Sequence, residues 1–326
     1  MGTALSAGHQ PWHTLQWHRW LRKLYRKTHA RSWRHNEHLW PYVKLQRNAR
    51  GGLESIRVFG RHVPVLGLAQ AFADAGPDMH IVLSGGSVRQ IDYARLPRLQ
   101  VMGVNGSIAL QDTSPVEFPY YCIIDGTFVE ERRELVRRVV SGERLLLLTP
   151  EVLRYILEYV PLAHIRARLC LIESLSERAH EAHATAAGLQ AWQAQGRDIV
   201  LFDDSRQLGF SFDADLGWFD ADTVAYAAFQ AAIWGGAQRV YFHGLDITGA
   251  SAQPRFYEQP GAPRPPTWLE RSFPVLIEPS FRGAVQVLAQ RGIRVYNLSP
   301  VSALGPDAMP FLDWREGLGP GDGARP

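Results

Sequence analysis

Five short clusters of small, hydrogen-bonding residues each follow an apolar run. They are Ser84-Gly85-Gly86-Ser87, Asn105-Gly106-Ser107, Asp125-Gly126-Thr127, Gly244-Leu245-Asp246 and Ser299-Pro300-Val301-Ser302. Gly85 and Gly86 let backbone N–H groups approach an anion closely, and a helix starting behind them adds partial positive charge. Asn105 and Asp125 can read a base edge or ribose hydroxyls by hydrogen bonds. One such cluster alone is an ordinary turn. Five of them point to a polar ligand with many oxygens, such as a nucleotide sugar.

Other chemistries lack their residues. The patterns G-x-G-x-x-G and G-x-x-x-x-G-K-S/T do not occur, which argues against a dinucleotide dehydrogenase and a P-loop NTPase. There is no G-x-S-x-G hydrolase elbow. "AHEAH", with His180, Glu181 and His183, is not H-E-x-x-H and reads as a solvated helix face. Asp-Ala-Asp occurs at 213–215 and again at 220–222. Such a pair after a strand can hold Mn²⁺ or Mg²⁺ against a sugar-nucleotide diphosphate, but the motif is short and arises by chance. Asp222 also stands just before a helical stretch, where an N-cap explains it.

These clusters need a frame. Apolar runs at 81–83, 101–104, 120–124, 145–148, 169–172, 199–202, 240–242 and 295–298 predict strands. Between them lie helical stretches such as "FVEERRELVRRVV", "PEVLRYILEYV", "TAAGLQAWQAQ", "DTVAYAAFQAAIWGG" and "SFRGAVQVLAQRG". Apolar strands alternating with helices predict an α/β fold with a doubly wound, mostly parallel sheet. In such sheets ligands bind beyond the carboxyl ends of the strands, where the five clusters fall. The Pro-rich piece "QPGAPRPPTW" reads as a long loop or lid.

The chain has 326 residues and two cysteines, Cys122 and Cys170, both inside apolar runs. They read as small buried hydrophobes, with no disulfide framework and no metal spacing. No apolar run reaches a membrane span, and no signal peptide is evident. A cytoplasmic protein is expected. Residues 1–50 hold ten Lys/Arg and one acid, Glu37, although the net charge of the whole chain is only +3. The basic charge therefore belongs to a head. On a helix, Trp17, Trp20, Leu21, Leu24 and Tyr25 share a face opposite Arg19, Arg22, Lys23, Arg26 and Lys27. Such a helix suits an anionic membrane surface through residues 12–44, or packing on the main domain. The acidic main domain lacks nucleic-acid motifs, so no nucleic-acid partner is expected. The expected division is a basic, Trp-rich docking segment and linker over 1–52, an α/β domain over 53–313 and a disordered tail over 314–326.

The motif order resembles a known family. The strand, Ser84–Ser87 and then "IDYARLP", followed by "VMGVNGS", "CIIDGTF", "RVYFHGLDITG" and "YNLSPVS", is similar to the bacterial CMP-sugar sialyltransferases of glycosyltransferase family 42. "VNGSIAL", "DTVAYAAFQAA", "GLDITG", "RFYEQ" and "IRVYNLSPVSALGPDAMPF" resemble more closely the Kdo III transferases (WaaZ type) of lipopolysaccharide inner-core assembly. The resemblance implies a CMP-Kdo donor, a lipid A–core acceptor, no metal or other cofactor, and a place on the cytoplasmic face of the inner membrane. It implies that Gly85, Gly86, Asn105 and Asp125 line the CMP site, with Thr223 near it. Thr248 and Tyr257 fall near the tyrosines that hold the leaving phosphate. Two departures stand out: Asp125 replaces an Asn, and the catalytic histidine has no counterpart, its position falling near Val275 with Glu278 close by.

Inverting transfer from such a donor needs three things: stabilisation of the leaving phosphate, a base for the acceptor hydroxyl, and a partner for the sugar carboxylate. Ser84, Gly85, Gly86, Ser87, Asn105, Gly106, Ser107, Asp125, Thr223, Thr248 and Ser299 are the expected nucleotide contacts. Tyr257 suits the leaving phosphate. Asp246, Glu258 and Glu278 are the candidate bases, with Asp222 behind them. Arg255 or Arg282 suits the carboxylate. The alternatives are a metal-dependent nucleoside-diphosphate-sugar enzyme, a pyrophosphokinase-like relative and a non-catalytic membrane-docking scaffold.

Overall fold

A computed structural model describes residues 12–96, 99–247, 255–258 and 269–318. Seven strands form the central sheet: β4 (Asp78–Val82), β5 (Val101–Val104), β6 (Tyr120–Ile123), β7 (Leu145–Leu148), β8 (Arg168–Leu171), β11 (Arg239–His243) and β12 (Arg294–Asn297). Their order is β12-β11-β4-β5-β6-β7-β8, and every pairing is parallel. From β4 the chain runs outward to β8, then returns to lay β11 on the other side of β4. The β4/β11 border is thus the switch point of the sheet, where the crevice of a doubly wound fold opens. The expected α/β class stands.

The sheet is buried on both faces, which is why its strands read as unbroken apolar runs. In β7, Leu145 and Leu147 face one core while Leu146 and Leu148 face the other, all fully buried. The helix Val224–Trp234 covers the first face. Its small Ala225, Ala228, Ala231 and Ala232 are fully buried, so its backbone can approach the strands closely. Helices Gly126–Glu131, Arg133–Val140 and Pro150–Leu157 cover the second face.

Several details depart from the sequence-based expectation. The run at 199–202 does not join the sheet. It forms β9 (Ile199–Asp203), which pairs antiparallel with β10 (Leu208–Ser211) through a polar turn. "FVEERRELVRRVV" is two helices, broken where Arg132 leaves helical geometry at φ −122°, ψ 41°. Residues 48–52, expected as linker, are the turn between β1 (Val43–Arg47) and β2 (Leu53–Val58), closed by the Asn48 side chain. A third strand, β3 (Arg61–Val63), completes that small sheet. In the expected tail, Trp314–Gly317 is helical and Trp314 is buried; residues 319–326 lie outside the described residues.

The basic head is sewn onto the domain. Its helix Trp12–Thr28 buries Leu21 and Tyr25. Arg47 donates to both carboxylate oxygens of Glu173, at 2.5 and 3.0 Å, and to the Ala179 carbonyl at 2.8 Å. The buried Asn36 bonds the His180 N–H and the Glu181 carbonyl. "AHEAH" is therefore no solvated helix face: it is a loop that receives the head, and His180 bonds the Val43 carbonyl at 3.1 Å. Trp17 and Trp20 remain outside, 56% and 53% exposed and stacked on each other.

Candidate active site

The five clusters follow β4, β5, β6, β11 and β12, which are five adjacent strands of the sheet. Their side chains come together at its carboxyl edge. Asp246, after β11, ties three of them. Its buried carboxylate accepts from Ser87 N at 3.0 Å, from Ser87 Oγ, and from Ser299 Oγ at 2.5 Å. Gly85 makes this possible: a Cβ there would stand 2.5 Å from Asp246 Oδ2. Gly86 faces open space instead. The chain continues from Gly85 as a short 3-10 turn, Gly86–Gln90, not as an α-helix. The expected helix-dipole contribution is correspondingly small. Gly85 N is taken by the Gly244 carbonyl and Ser87 N by Asp246, which leaves the Gly86 N–H as the donor that an anion would meet.

After β5 the backbone is strained. Asn105 has φ +45°, a conformation Asn tolerates better than other side chains. The Tyr121 phenol, fully buried in β6, fixes this turn. It donates to the Asn105 carbonyl at 2.6 Å and accepts the Ile108 N–H at 2.8 Å; Ser107 Oγ lies 3.1 Å away and accepts the Val104 N–H. Asn105 Oδ1 is buried with no hydrogen-bond partner. A buried acceptor held unsatisfied by strained backbone is a mark of a site awaiting a donor.

The segment 255–258 lies across these loops. Phe256 N donates to the Ser84 carbonyl at 3.1 Å, and Arg89 reaches the Phe256 carbonyl. The Tyr257 ring sits on Gly106, where any Cβ would collide with it. Its hydroxyl accepts from Arg255 Nη1 at 3.3 Å, and burial raises the phenol above its usual range, so it stays protonated. Glu258 accepts from Arg255 N at 3.0 Å and from Arg132 Nη2 at 3.2 Å.

The remaining expected residues have partners of their own. Asp125 Oδ1 accepts the Thr127 N–H at 2.8 Å, capping the helix Gly126–Glu131. Thr223, not Asp222, caps the helix Val224–Trp234. Asp222 accepts instead from Ser272 Oγ at 2.5 Å. Glu278 pairs with Arg282 one turn along its helix, at 2.5 to 2.7 Å. Thr248 lies outside the described residues. In the first Asp-Ala-Asp, Asp213 takes the Arg197 guanidinium and Asp215 the Asn48 amide. Among the described residues no three His, Cys, Asp or Glu are grouped to hold a metal.

Beneath the switch point runs a buried chain of side chains whose pairing is visible only in the fold. Tyr93 OH pairs with His243 Nδ1 at 3.1 Å, and His243 Nε2 with His80 Nδ1 at 2.9 Å. Burial pushes His80 down to about 3 and His243 well below the ordinary value, so both imidazoles are neutral. Tyr93 belongs to "IDYARLP". The motif thus fastens the β4 loop to the end of β11, one residue before Gly244.

A doubly wound sheet with its polar crevice at the switch point suits a nucleotide-sugar enzyme, and the chain is a glycosyltransferase. It belongs to the family described as 3-deoxy-D-manno-octulosonic acid transferase WaaZ, whose model matches residues 68–315. Probable 3-deoxy-manno-octulosonic acid transferases are similar to it over 243 residues, 73% of this chain. The one from Escherichia coli K12 is 25% identical over 83% of its own length, and that from Salmonella typhimurium LT2 24% over 88%. Among solved structures, the sialyltransferase Cst-I from Campylobacter jejuni matches 72% of this chain and 80% of its own, at 14% identity and TM-score 0.40. CstII from the same organism, with cytidine-5'-monophosphate, matches 72% and 85%, at 15% identity and TM-score 0.37.

Proposed function

We propose that the protein transfers Kdo, or a related keto-sugar acid, from CMP-Kdo to the lipid A–core of lipopolysaccharide, with inversion and without a metal. The observation that carries this reading is the strained Asn105, whose Oδ1 is buried and unpartnered beside the switch point. It suits a hydrogen-bond donor such as a cytosine amino group or a ribose hydroxyl. A CMP-sugar holds one phosphate as a diester, so the Gly86 N–H, next to a Gly85 N–H already taken by the Gly244 carbonyl, suffices where a triphosphate would call for a lysine. As the bond to phosphate breaks, the Gly86 N–H and the protonated Tyr257 hydroxyl stabilise the departing charge. Arg255, which reaches the Tyr257 hydroxyl and pairs with Glu258, and Arg282, which pairs with Glu278, are the candidates for the sugar carboxylate.

Asp246, Glu258 and Glu278 are the bases expected from the sequence, and each is already engaged by donors or by arginine. We assign Asp246 to positioning Ser87 and Ser299. The exposed Trp17 and Trp20, with the exposed Arg19, Lys23 and Lys27, support docking on an anionic membrane surface, while Leu21 and Tyr25 are buried on the other side of the helix, where the Tyr25 ring meets Trp40 and His29. No described helix is long and apolar enough to cross a membrane. A peripheral place on the cytoplasmic face of the inner membrane accords with this reading.

Thermal shift tests the donor. CMP alone should raise the melting temperature. Stabilisation by UDP only together with Mn²⁺ would replace this reading with the metal-dependent alternative, and no nucleotide response would favour a scaffold.

A further inference from the structure

The crevice continues past β6. Helix Pro150–Leu157 begins directly after β7, and Glu151 lies in its first turn. Its Oε1 would stand 3.3 Å from a Cβ on Gly126, so its carboxylate abuts the Asp125–Gly126 turn at the end of β6. Strand ends two apart are separated by roughly 10 Å. Glu151 is therefore about that far along the sheet from the β5 end that carries Asn105, a distance that a donor sugar and the acceptor sugar beside it can bridge. Its environment differs from that of every other carboxylate at the site. Asp246, Glu258, Glu278, Asp125 and Asp222 all accept hydrogen bonds. Among the described residues none is donated to Glu151; His38 Nδ1 lies 3.9 Å away and is itself paired with Tyr155 OH at 2.8 Å. His38 comes from the N-terminal segment, outside the family match, so the head supplies one wall of this part of the crevice.

We propose that Glu151 is the catalytic base, in a pocket closed by His38 and Tyr155. This rests on the transferase reading above. The acceptor O–H gives its proton to the Glu151 carboxylate. The freed oxygen pair forms the bond to the anomeric carbon, and the bond from that carbon to phosphate oxygen breaks, its electron pair leaving with CMP. The groups facing Glu151 agree with this role. Burial, with the carboxylates of Asp125, Glu177 and Glu130, pushes its carboxyl up to about 7, and Arg154 opposes the rise. The side chain keeps 37% exposure, which tempers the burial effect but leaves it reachable by substrate. A base is most effective when its pKa lies near the working pH. His38 is lowered to about 4, so it faces the pocket uncharged.

The test compares the full-length wild type, Glu151→Gln and Glu151→Asp with CMP-Kdo and a lipid A–core acceptor. Glu151→Gln should lower kcat at least 100-fold at pH 7.5, keep CMP affinity within twofold, and lose the rise of kcat/KM through pH 7. Glu151→Asp should keep that rise with reduced kcat. If the wild type transfers the sugar and Glu151→Gln keeps kcat within threefold, the base assignment falls while the donor reading stands. If the wild type transfers nothing from CMP-Kdo, the donor reading falls. Carbon-13 NMR of the carboxyl groups then decides on Glu151 separately, because an ordinary titration near 4.5 overturns the proposal whatever the donor.

Discussion

Ser299 Oγ donates to Asp246 at 2.5 Å, joining the end of β12 to the end of β11, and the same carboxylate takes the backbone N–H of Ser87 after β4. One side chain thus sets the spacing of three strand ends across the switch point. This is a different task from accepting a substrate proton. A carboxylate that already accepts from three donors is rigid and well placed, and a proton taken at an oxygen that holds them would compete with those bonds.

Removing that carboxylate should cost stability first. Asp246→Ala leaves Ser87 and Ser299 without their buried acceptor, a loss of about 3 kcal/mol by the usual worth of hydrogen bonds to a charged group. Denaturant unfolding should show it as a lower midpoint with an unchanged slope. Full stability in the variant would mean that Asp246 does not hold the loops together.

Asn105 separates recognition from strain. Asn105→Gly relieves the positive φ and removes Oδ1, so the fold should be kept while CMP affinity falls about tenfold, the equivalent of one hydrogen bond. Calorimetric titration with CMP reads this directly. An unchanged Kd would take Asn105 out of the donor site.

Gly106 tests the clamp. Gly106→Ala drives a methyl into the Tyr257 ring and must displace the 255–258 segment from the β5 turn. We expect kcat to fall about 100-fold, the scale of a lost oxyanion donor, with a smaller change in CMP affinity. Activity close to wild type would show that Tyr257 does not act on the leaving phosphate.

Much of this frame is legible in the sequence. The run Leu145–Leu148 reads as a strand buried on both faces, and five apolar runs ending in small polar residues pointed to the crevice. The features that stayed hidden depend on pairing across the fold. Asp246 looked like a base because its two serine partners lie 159 and 53 positions away. Nothing in the sequence singles out Glu151; the packing of Gly126 and His38 against it sets it apart. The head read as an appendage because its charge is local, whereas Asn36 and Arg47 meet partners more than 120 residues distant.

The head divides into an inner and an outer face, and the two faces should respond differently. Trp17→Ala with Trp20→Ala removes exposed rings only, so the melting temperature should hold while binding to anionic vesicles drops at least fivefold. Leu21→Ala opens a buried position and should cost about 3 kcal/mol of stability. Vesicle sedimentation and thermal melts separate them. Persistent vesicle binding without the two tryptophans would assign the outer face another role.

The buried pair of histidines makes a prediction about acid. In the folded chain His80 takes a proton only near pH 3 and His243 lies well below its ordinary value, whereas unfolded histidines titrate near 6.5. Between those values the unfolded chain binds more protons. Stability from this pair is therefore fully present above pH 6.5 and is lost as pH falls toward 3, by about 1.4 kcal/mol per pH unit for each histidine. Carboxylates add to the acid loss in every variant, so the informative quantity is a difference. His80→Gln should flatten the fall in denaturant midpoint between pH 6.5 and 5 relative to wild type, although it lowers the stability at pH 7. A parallel fall in both proteins would mean that His80 does not remain neutral at the switch point, and the tie from Tyr93 through His243 would then need another account.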